Sequence, residues 1–284
     1  SVLRTYPIEI VEGSLGDLES LRTLVDYPGE VVLLHLAERR EYAEDITELM
    51  FQTNVVGTQN VIDVCFEKNV HRLLYLSSVE VLRKPESLKL LKEVQYYRAE
   101  GVVGGYGKSK AIATQMILDA GKTGLNVTVF SPSILIGPND YRKGLASRFI
   151  LDFLDRKIKF TINGGLDLVD VRDVAAVMLQ AVGVSRPQEV YFVTGHYIQL
   201  EDFIAEVARL TRRKKIQTKL PDVLVKNSLE TIGKIGKLLR VNTTKLESLL
   251  VEQFQSPARF TSNKAIKELD LQNRPLSESI RDTI

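Results

Sequence analysis

The run Tyr106-Gly107-Lys108-Ser109-Lys110 sets a tyrosine and a lysine four residues apart, which on a helix places both side chains on one face. A nearby ammonium favours the phenolate and lowers a tyrosine pKa from its usual value of about 10. Such a pair can act as an acid or base near neutral pH. The spacing alone is weak, because an amphipathic surface helix produces it too. Upstream, the apolar run Arg72–Leu76 ends in Ser77-Ser78. If that run is a strand, the serines lie at the carboxyl end, where open parallel sheets bind ligands. A hydroxyl there could hydrogen-bond a substrate carbonyl, although a serine pair after a strand is also a common turn or helix cap. Asn54-Val55-Val56-Gly57-Thr58 puts a polar residue and a glycine inside an otherwise apolar helical stretch. A glycine there costs about 1 kcal/mol relative to alanine and is tolerated at tight helix contacts.

The elements that must position these residues follow from hydrophobic periodicity. Short runs rich in Val, Ile and Leu predict buried strands at Ile8–Val11, Val31–Leu36, Arg72–Leu76, Val127–Phe130 and Val190–Val193. Helical spacing covers Asp45–Glu67 and Lys108–Lys122. Strands alternating with helices of this length imply right-handed crossovers and a doubly wound, parallel α/β sheet. After Thr194-Gly195 the pattern turns mainly helical, with Leu200–Leu210, Val223–Leu239, Thr244–Val251 and Asn263–Leu269 as candidates. The expected organisation is a dinucleotide-binding domain of residues 1–140 and 169–197, with a small, mainly helical substrate cap of 141–168 and 198–284.

With 44% hydrophobic and 26% charged residues, the 284-residue chain has an ordinary globular balance. A net charge of +2 gives no electrostatic reason for a nucleic-acid partner. The basic run Arg212–Lys215 follows a helical stretch and reads as a solvated helix end. The single cysteine, Cys65, lies on an apolar helical face and reads as a buried, inert thiol. No metal site is expected. No apolar run reaches membrane-spanning length, and no leader pattern opens the sequence, so a cytoplasmic setting is expected.

Taken in order, His35-Leu36-Ala37, Asn54-x-x-Gly57-Thr58, Ser77-Ser78-Val79, Tyr106-x-x-x-Lys110, Ser131-Pro132-Ser133 with Ile136-Gly137-Pro138, and Val169–Ala175 resemble the extended short-chain dehydrogenase/reductases. The C-terminal Ser262-Asn263-Lys264-Ala265 and Arg274-Pro275-Leu276 continue the likeness. Within that family the chain looks most like members similar to dihydroflavonol reductases and hopanoid-associated sugar epimerases. The resemblance implies NAD or NADP as cofactor. It makes Tyr106 the general acid/base, with Lys110 lowering its pKa and binding the nicotinamide ribose. Ser78, in preference to Ser77, would orient the substrate oxygen. Asn54 would hold a relay water or support the active-site helix, and Leu36, Ala37, Ser77, Pro132 and Ser133 would line the cofactor cleft. Glu80 falls where sugar-nucleotide dehydratases carry a catalytic glutamate, but the aspartate expected beside it is Val79, and the match is set aside.

The family's first unit, a strand, a glycine-rich turn and a helix, has no counterpart in this sequence. By alignment Ile8–Val11 resembles the family's third strand, so the first two strands are missing here and are expected in the natural protein; without them two apolar strand edges would stand open. NAD versus NADP preference would be set at the end of the missing second strand. Ser14 replaces a usual aspartate, and Glu38 replaces a usual small residue; its charge would be unwelcome beside a pyrophosphate.

The leading expectation is hydride transfer to or from a carbonyl or secondary alcohol of a small molecule. Epimerisation or dehydration of a nucleotide sugar could use the same site, but the segments Arg83–Gly105, Tyr141–Gly165 and Pro221–Gln255 show no clear cationic set for its diphosphate. A reading of another class is a cofactor-sensing or scaffold protein, favoured by Ser14 and Glu38 and opposed by Ser78, Tyr106 and Lys110. The apolar and basic stretch Leu224–Arg240 could rest on a membrane, though a cap helix explains the same pattern. By resemblance a homodimer is expected, formed by the helices that carry Asn54 and Tyr106.

Overall fold

Buried β-branched runs form strands here wherever a neighbouring strand accepts their backbone hydrogen bonds. The computed structural model describes residues 6–183, 188–221 and 254–284. From the amino end come α1 (Leu18–Leu24), β1 (Val32–His35), α2 (Glu48–Met50), a π-helical turn (Phe51–Val56), α3 (Gly57–Glu67), β2 (Arg72–Leu76), a 3-10 turn (Val79–Val81) and β3 (Lys89–Leu91). Next are α4 (Gly104–Lys122), β4 (Val127–Pro132), β5 (Ile134–Ile136), α5 (Leu145–Leu154), β6 (Gly165–Asp170) and α6 (Val171–Val182). The described elements end with β7 (Glu189–Val193), β8 (His196–Gln199), α7 (Leu200–Leu210), β9 (Ala258–Phe260), α8 (Asn263–Leu269) and α9 (Leu276–Thr283).

The main sheet runs β1-β2-β4-β7, and all three pairings are parallel. Successive residues of its strands feed opposite cores. Leu73, Val127 and Val190 pack with Val61, Ile62 and Ile117 of α3 and α4 on one face. Leu74, Phe130 and Tyr191 pack with Val174, Val177 and Leu269 of α6 and α8 on the other. Both faces are therefore covered, as a doubly wound fold requires. Cys65 is fully buried in the first core, and burial pushes its thiol up to about 12, in keeping with an inert side chain.

A second sheet, β5-β6-β8, and a two-stranded pair, β3-β9, lie toward the carboxyl ends of the main strands. Leu166 and Leu168 of β6 join Ile150, Phe203, Ile204 and Ile280 in a third core. The segment after Gly195 is thus not purely helical. β8 and β9 are three or four residues long, too short for an alternating pattern to declare itself. The predicted strand Ile8–Val11 is also corrected: it has no strand assignment, and Ile8 and Ile10 are half exposed. No described strand lies beside it to complete a ladder, and unpaired extended backbone gains nothing from strand geometry. The predicted helices Val223–Leu239 and Thr244–Val251, and with them the stretch Leu224–Arg240, lie outside the described residues. No helix among the described residues is long and apolar enough to cross a membrane.

The run Val169–Ala175 has a structural part to play. Asp170 caps α6 through the Arg172 backbone N–H and pairs with the Arg172 guanidinium at 2.8 Å. Arg172 also reaches Asp282 of α9, and Asp173 accepts from both the backbone and side chain of Arg274. These ion pairs fasten the C-terminal segment to α6.

Candidate active site

The tyrosine helix starts earlier than its apolar periodicity shows, at Gly104, whose φ of +77° suits glycine. Glycine is also required at position 105: a Cβ there would lie 2.0 Å from the Asp45 carbonyl oxygen. This close approach presses the first turn of α4 against the segment that follows β1. Tyr106 and Lys110 share the buried face that results.

Their polar ends do not meet each other directly. Glu38, three residues beyond β1, lies between them. Tyr106 Oη donates to Glu38 Oε2 at 2.9 Å, and Lys110 Nζ lies 3.4 Å from the same oxygen. Lys110 also donates to the Leu76 carbonyl at 2.7 Å and lies over the Tyr75 ring. The Arg40 guanidinium is 4.3 Å from the Tyr106 ring centroid, and it donates to both oxygens of Glu80, at 2.9 and 3.0 Å.

The charges around the phenol set its acidity. Burial pushes the Tyr106 phenol well above its usual value, the Glu38 charge pushes it further, and Arg40 only partly opposes them. Lys110 is paired with the same Glu38 oxygen. For the ammonium, burial lowers the pKa, but Tyr75 and Glu38 outweigh it and the value ends raised.

His35 closes β1 and is fully buried. Burial, and then the nearby Lys110 charge, push it down to about 3, so the imidazole is neutral. Its Nε2 lies 3.0 Å from Thr58 Oγ1, whose own hydrogen goes to the Asn54 carbonyl. Nε2 is therefore the protonated nitrogen of His35.

Asn54 stands in the π-helical turn, a local widening that often marks functional sites. Its amide nitrogen donates to the Arg39 carbonyl and to Ser109 Oγ, and its oxygen accepts from the Arg39 N–H at 2.7 Å. These contacts tie the turn to α4 and to the segment that follows β1. They also hold in place the residue that follows Glu38. Gly57, in the same helix, is where Leu15 packs, 2.7 Å from a notional Cβ.

Ser78 caps the 3-10 turn by accepting from the Glu80 N–H at 3.1 Å, which leaves its hydroxyl hydrogen for another acceptor. Ser77 instead shares a 2.7 Å hydrogen bond with Thr114 of α4, which occupies its side chain with holding helix to sheet. Leu36 and Ala37 are exposed beyond β1, whereas Pro132 and Ser133 are buried at the end of β4. Ser133 Oγ is buried near the Asp167 carboxyl and opposes the rise in pKa that burial imposes on it.

A nicotinamide nucleotide fits the sugar-facing half of this site. Lys110, Tyr106 and the Ser133 hydroxyl offer polar contacts, and Leu36 and Pro132 offer apolar surface. Glu38 suits ribose hydroxyls, which donate hydrogen bonds, and not a diphosphate, which would repel it. Sequence reasoning read Glu38 only as a liability and did not single out Arg40. The available signal was the set of charges at 38, 40 and 80 beside strand ends that are otherwise apolar.

A family model described as the NAD dependent epimerase/dehydratase family matches residues 2–193. A Synechocystis sp. protein named dihydroflavonol 4-reductase is 26% identical over 292 residues, covering 99% of this chain and 82% of that protein. Sterol demethylase protein B of Methylococcus capsulatus is 27% identical over 219 residues, covering 76% of this chain; the chain spans 66% of its length. Among solved structures, the crystal structure of gox2253 superimposes with a TM-score of 0.81 at 26% identity, covering 97% of this chain and 83% of that one.

Proposed function

This chain belongs to the NAD-dependent epimerase/dehydratase family, and from that premise we propose that it interconverts a secondary alcohol and a ketone on a small, mainly apolar molecule. The observation that carries this reading is the convergence of Tyr106 and Lys110 on one oxygen of Glu38 beyond β1 and β2. Bound NAD or NADP would supply or accept the hydride. Lys110, Tyr106, Ser133, Leu36, Ala37 and Pro132 would hold its nicotinamide half. Tyr106 moves the proton at the substrate oxygen, and Ser78 orients that oxygen with its free hydroxyl hydrogen.

The substrate class follows from the adjoining cavity. Leu82, Leu91, Ile134 and Phe260 line it together with charges of both signs, Arg83 and Lys84 beside Glu80 and Asp167, which suits an apolar frame that carries polar substituents. The Synechocystis and Methylococcus relatives are named a dihydroflavonol 4-reductase and a sterol demethylase, names that point to polycyclic substrates. Dehydration is disfavoured by Glu80, whose two carboxylate oxygens are both taken by Arg40.

The test is nucleotide reduction by the purified protein on hydroxysteroids and hydroxyflavonoids, with and without a carboxylate, against nucleotide sugars. Tyr106→Phe should lower turnover by about 10²–10⁴-fold with the fold intact by circular dichroism. Full activity in that variant, or turnover of nucleotide sugars alone, would refute the proposal.

A further inference from the structure

The Tyr106 hydroxyl has one hydrogen-bond partner among the described residues, and it is a carboxylate. Glu38 Oε2 accepts from Tyr106 Oη at 2.9 Å while pairing with Lys110 at 3.4 Å. The Glu38 side chain keeps 31% of its surface exposed, whereas Lys110 keeps 2%. Tyr106 is itself buried, and Glu38 is the hydrogen-bonded link from its hydroxyl toward solvent among the described residues. Its place is not left to a free loop, because Asn54 grips both backbone groups of Arg39, the next residue.

We propose that Glu38 is the proton carrier of Tyr106, passing protons between the phenol and bulk water during turnover. The inference rests on the acid/base part assigned to Tyr106 above. In the oxidative direction the substrate O–H bond breaks and its proton bonds to Tyr106 Oη. The Oη–H bond breaks in the same step, and that proton bonds to Glu38 Oε2. The hydride leaves the substrate carbon with its electron pair to the oxidised nicotinamide cofactor, and a carbonyl forms. Glu38, now neutral, releases the proton to water. Reduction runs the same transfers backwards.

A carrier of this kind meets a difficulty that the tyrosine alone would face. Burial and the Glu38 charge hold the phenol well above its usual pKa, so a resting phenolate is not at hand near neutral pH. A concerted hand-off needs none. The groups facing the pair are Lys110 and, around the phenol, Arg40 and Glu80; Tyr75 and the neutral His35 face the Lys110 side.

Glu38→Ala and Glu38→Gln, measured beside Tyr106→Phe, test the assignment. Both Glu38 variants should oxidise alcohol about 10²-fold more slowly, with rates that climb as pH rises. Added formate or acetate should restore the alanine variant and leave Tyr106→Phe inactive. Independently of turnover, the ultraviolet phenolate signal lost in Tyr106→Phe should appear at lower pH in Glu38→Gln, because a neutral amide no longer opposes ionisation. Undiminished rates in the Glu38 variants with Tyr106→Phe inactive would overturn the carrier role and leave the site reading standing. Faster turnover with tighter NADH or NADPH binding would overturn it too, marking Glu38 as an obstacle to the cofactor. Lost activity with neither rescue nor a shifted phenol titration would reduce Glu38 to a structural residue. An active Tyr106→Phe would remove the reading on which the inference rests.

Discussion

Tyr106, Glu38 and Lys110 show how a shared helix face and an electrostatic partnership can diverge. The four-residue spacing places phenol and ammonium on one face, yet both meet the carboxylate between them and not each other. Lys110 is held by the Leu76 carbonyl and by Glu38, so Lys110→Met should leave both without their cation. The expected cost is about 1–3 kcal/mol, from acceptors that lose a partner, read as a lower urea midpoint. Turnover should fall by at least about 10². At the other extreme of reactivity, Cys65 has its thiol pushed up to about 12 by burial. It should resist thiol reagents at mildly alkaline pH in the folded protein and react fully in denaturant. Rapid labelling of the native protein would mean that the first core opens.

At the scale of elements, the start of α4 is the feature on which the site depends. Gly105 lets the helix meet the Asp45 carbonyl at a distance that no side chain permits. Gly105→Ala should therefore push the first turn away, costing about 1–3 kcal/mol and lowering kcat by moving Tyr106 from its partners. A variant with native melting and native kcat would show that the turn is not held there. The π-helical turn does similar work from the opposite side, by presenting Asn54 to Arg39 and Ser109. Sequence reading reached the long helices but not these two details. Glycines and a polar residue interrupt apolar periodicity, and the pattern alone cannot tell an interruption that ends a helix from one that seats it closely.

For the molecule as a whole, the bonds from Asp170 and Asp173 to Arg172 and Arg274 hold the C-terminal segment on α6. Burial alone would raise the Asp170 pKa, but hydrogen bonds from Arg172 and Ser279 and the Arg172 charge leave it below its usual 3.8. A depressed carboxylate pKa stabilises the fold above the unfolded value, and that stability is lost as pH falls through the lower folded value. Melting temperature should therefore drop steeply from about pH 4 downward. The drop should be shallower in Asp170→Asn, which begins less stable; an identical acid profile would remove Asp170 from the account. We also propose the homodimer that the family resemblance implies. Leu49 and Phe51 are exposed on the helix that carries Asn54, and light scattering should show Phe51→Glu as a monomer and the parent as a dimer.

Composition, periodicity and motif order were enough to determine the layered α/β class, the four strands of the main sheet but not those at Lys89–Leu91, Ile134–Ile136 and Gly165–Asp170, and the candidacy of Tyr106, Lys110, Ser78 and Asn54. Each of these is written locally, in runs of a few residues whose spacing matches a strand, a helix face or a strand end. Tertiary structure alone decided that Glu38 would be a partner of the tyrosine, where the sequence had marked it as a misfit. That contact joins residues 68 positions apart, the Arg40–Glu80 pair joins residues 40 apart, and the Asp173–Arg274 clamp spans 101. The strength and sign of a charge's effect depend on its distance and burial, and both quantities come into being only when the chain has folded.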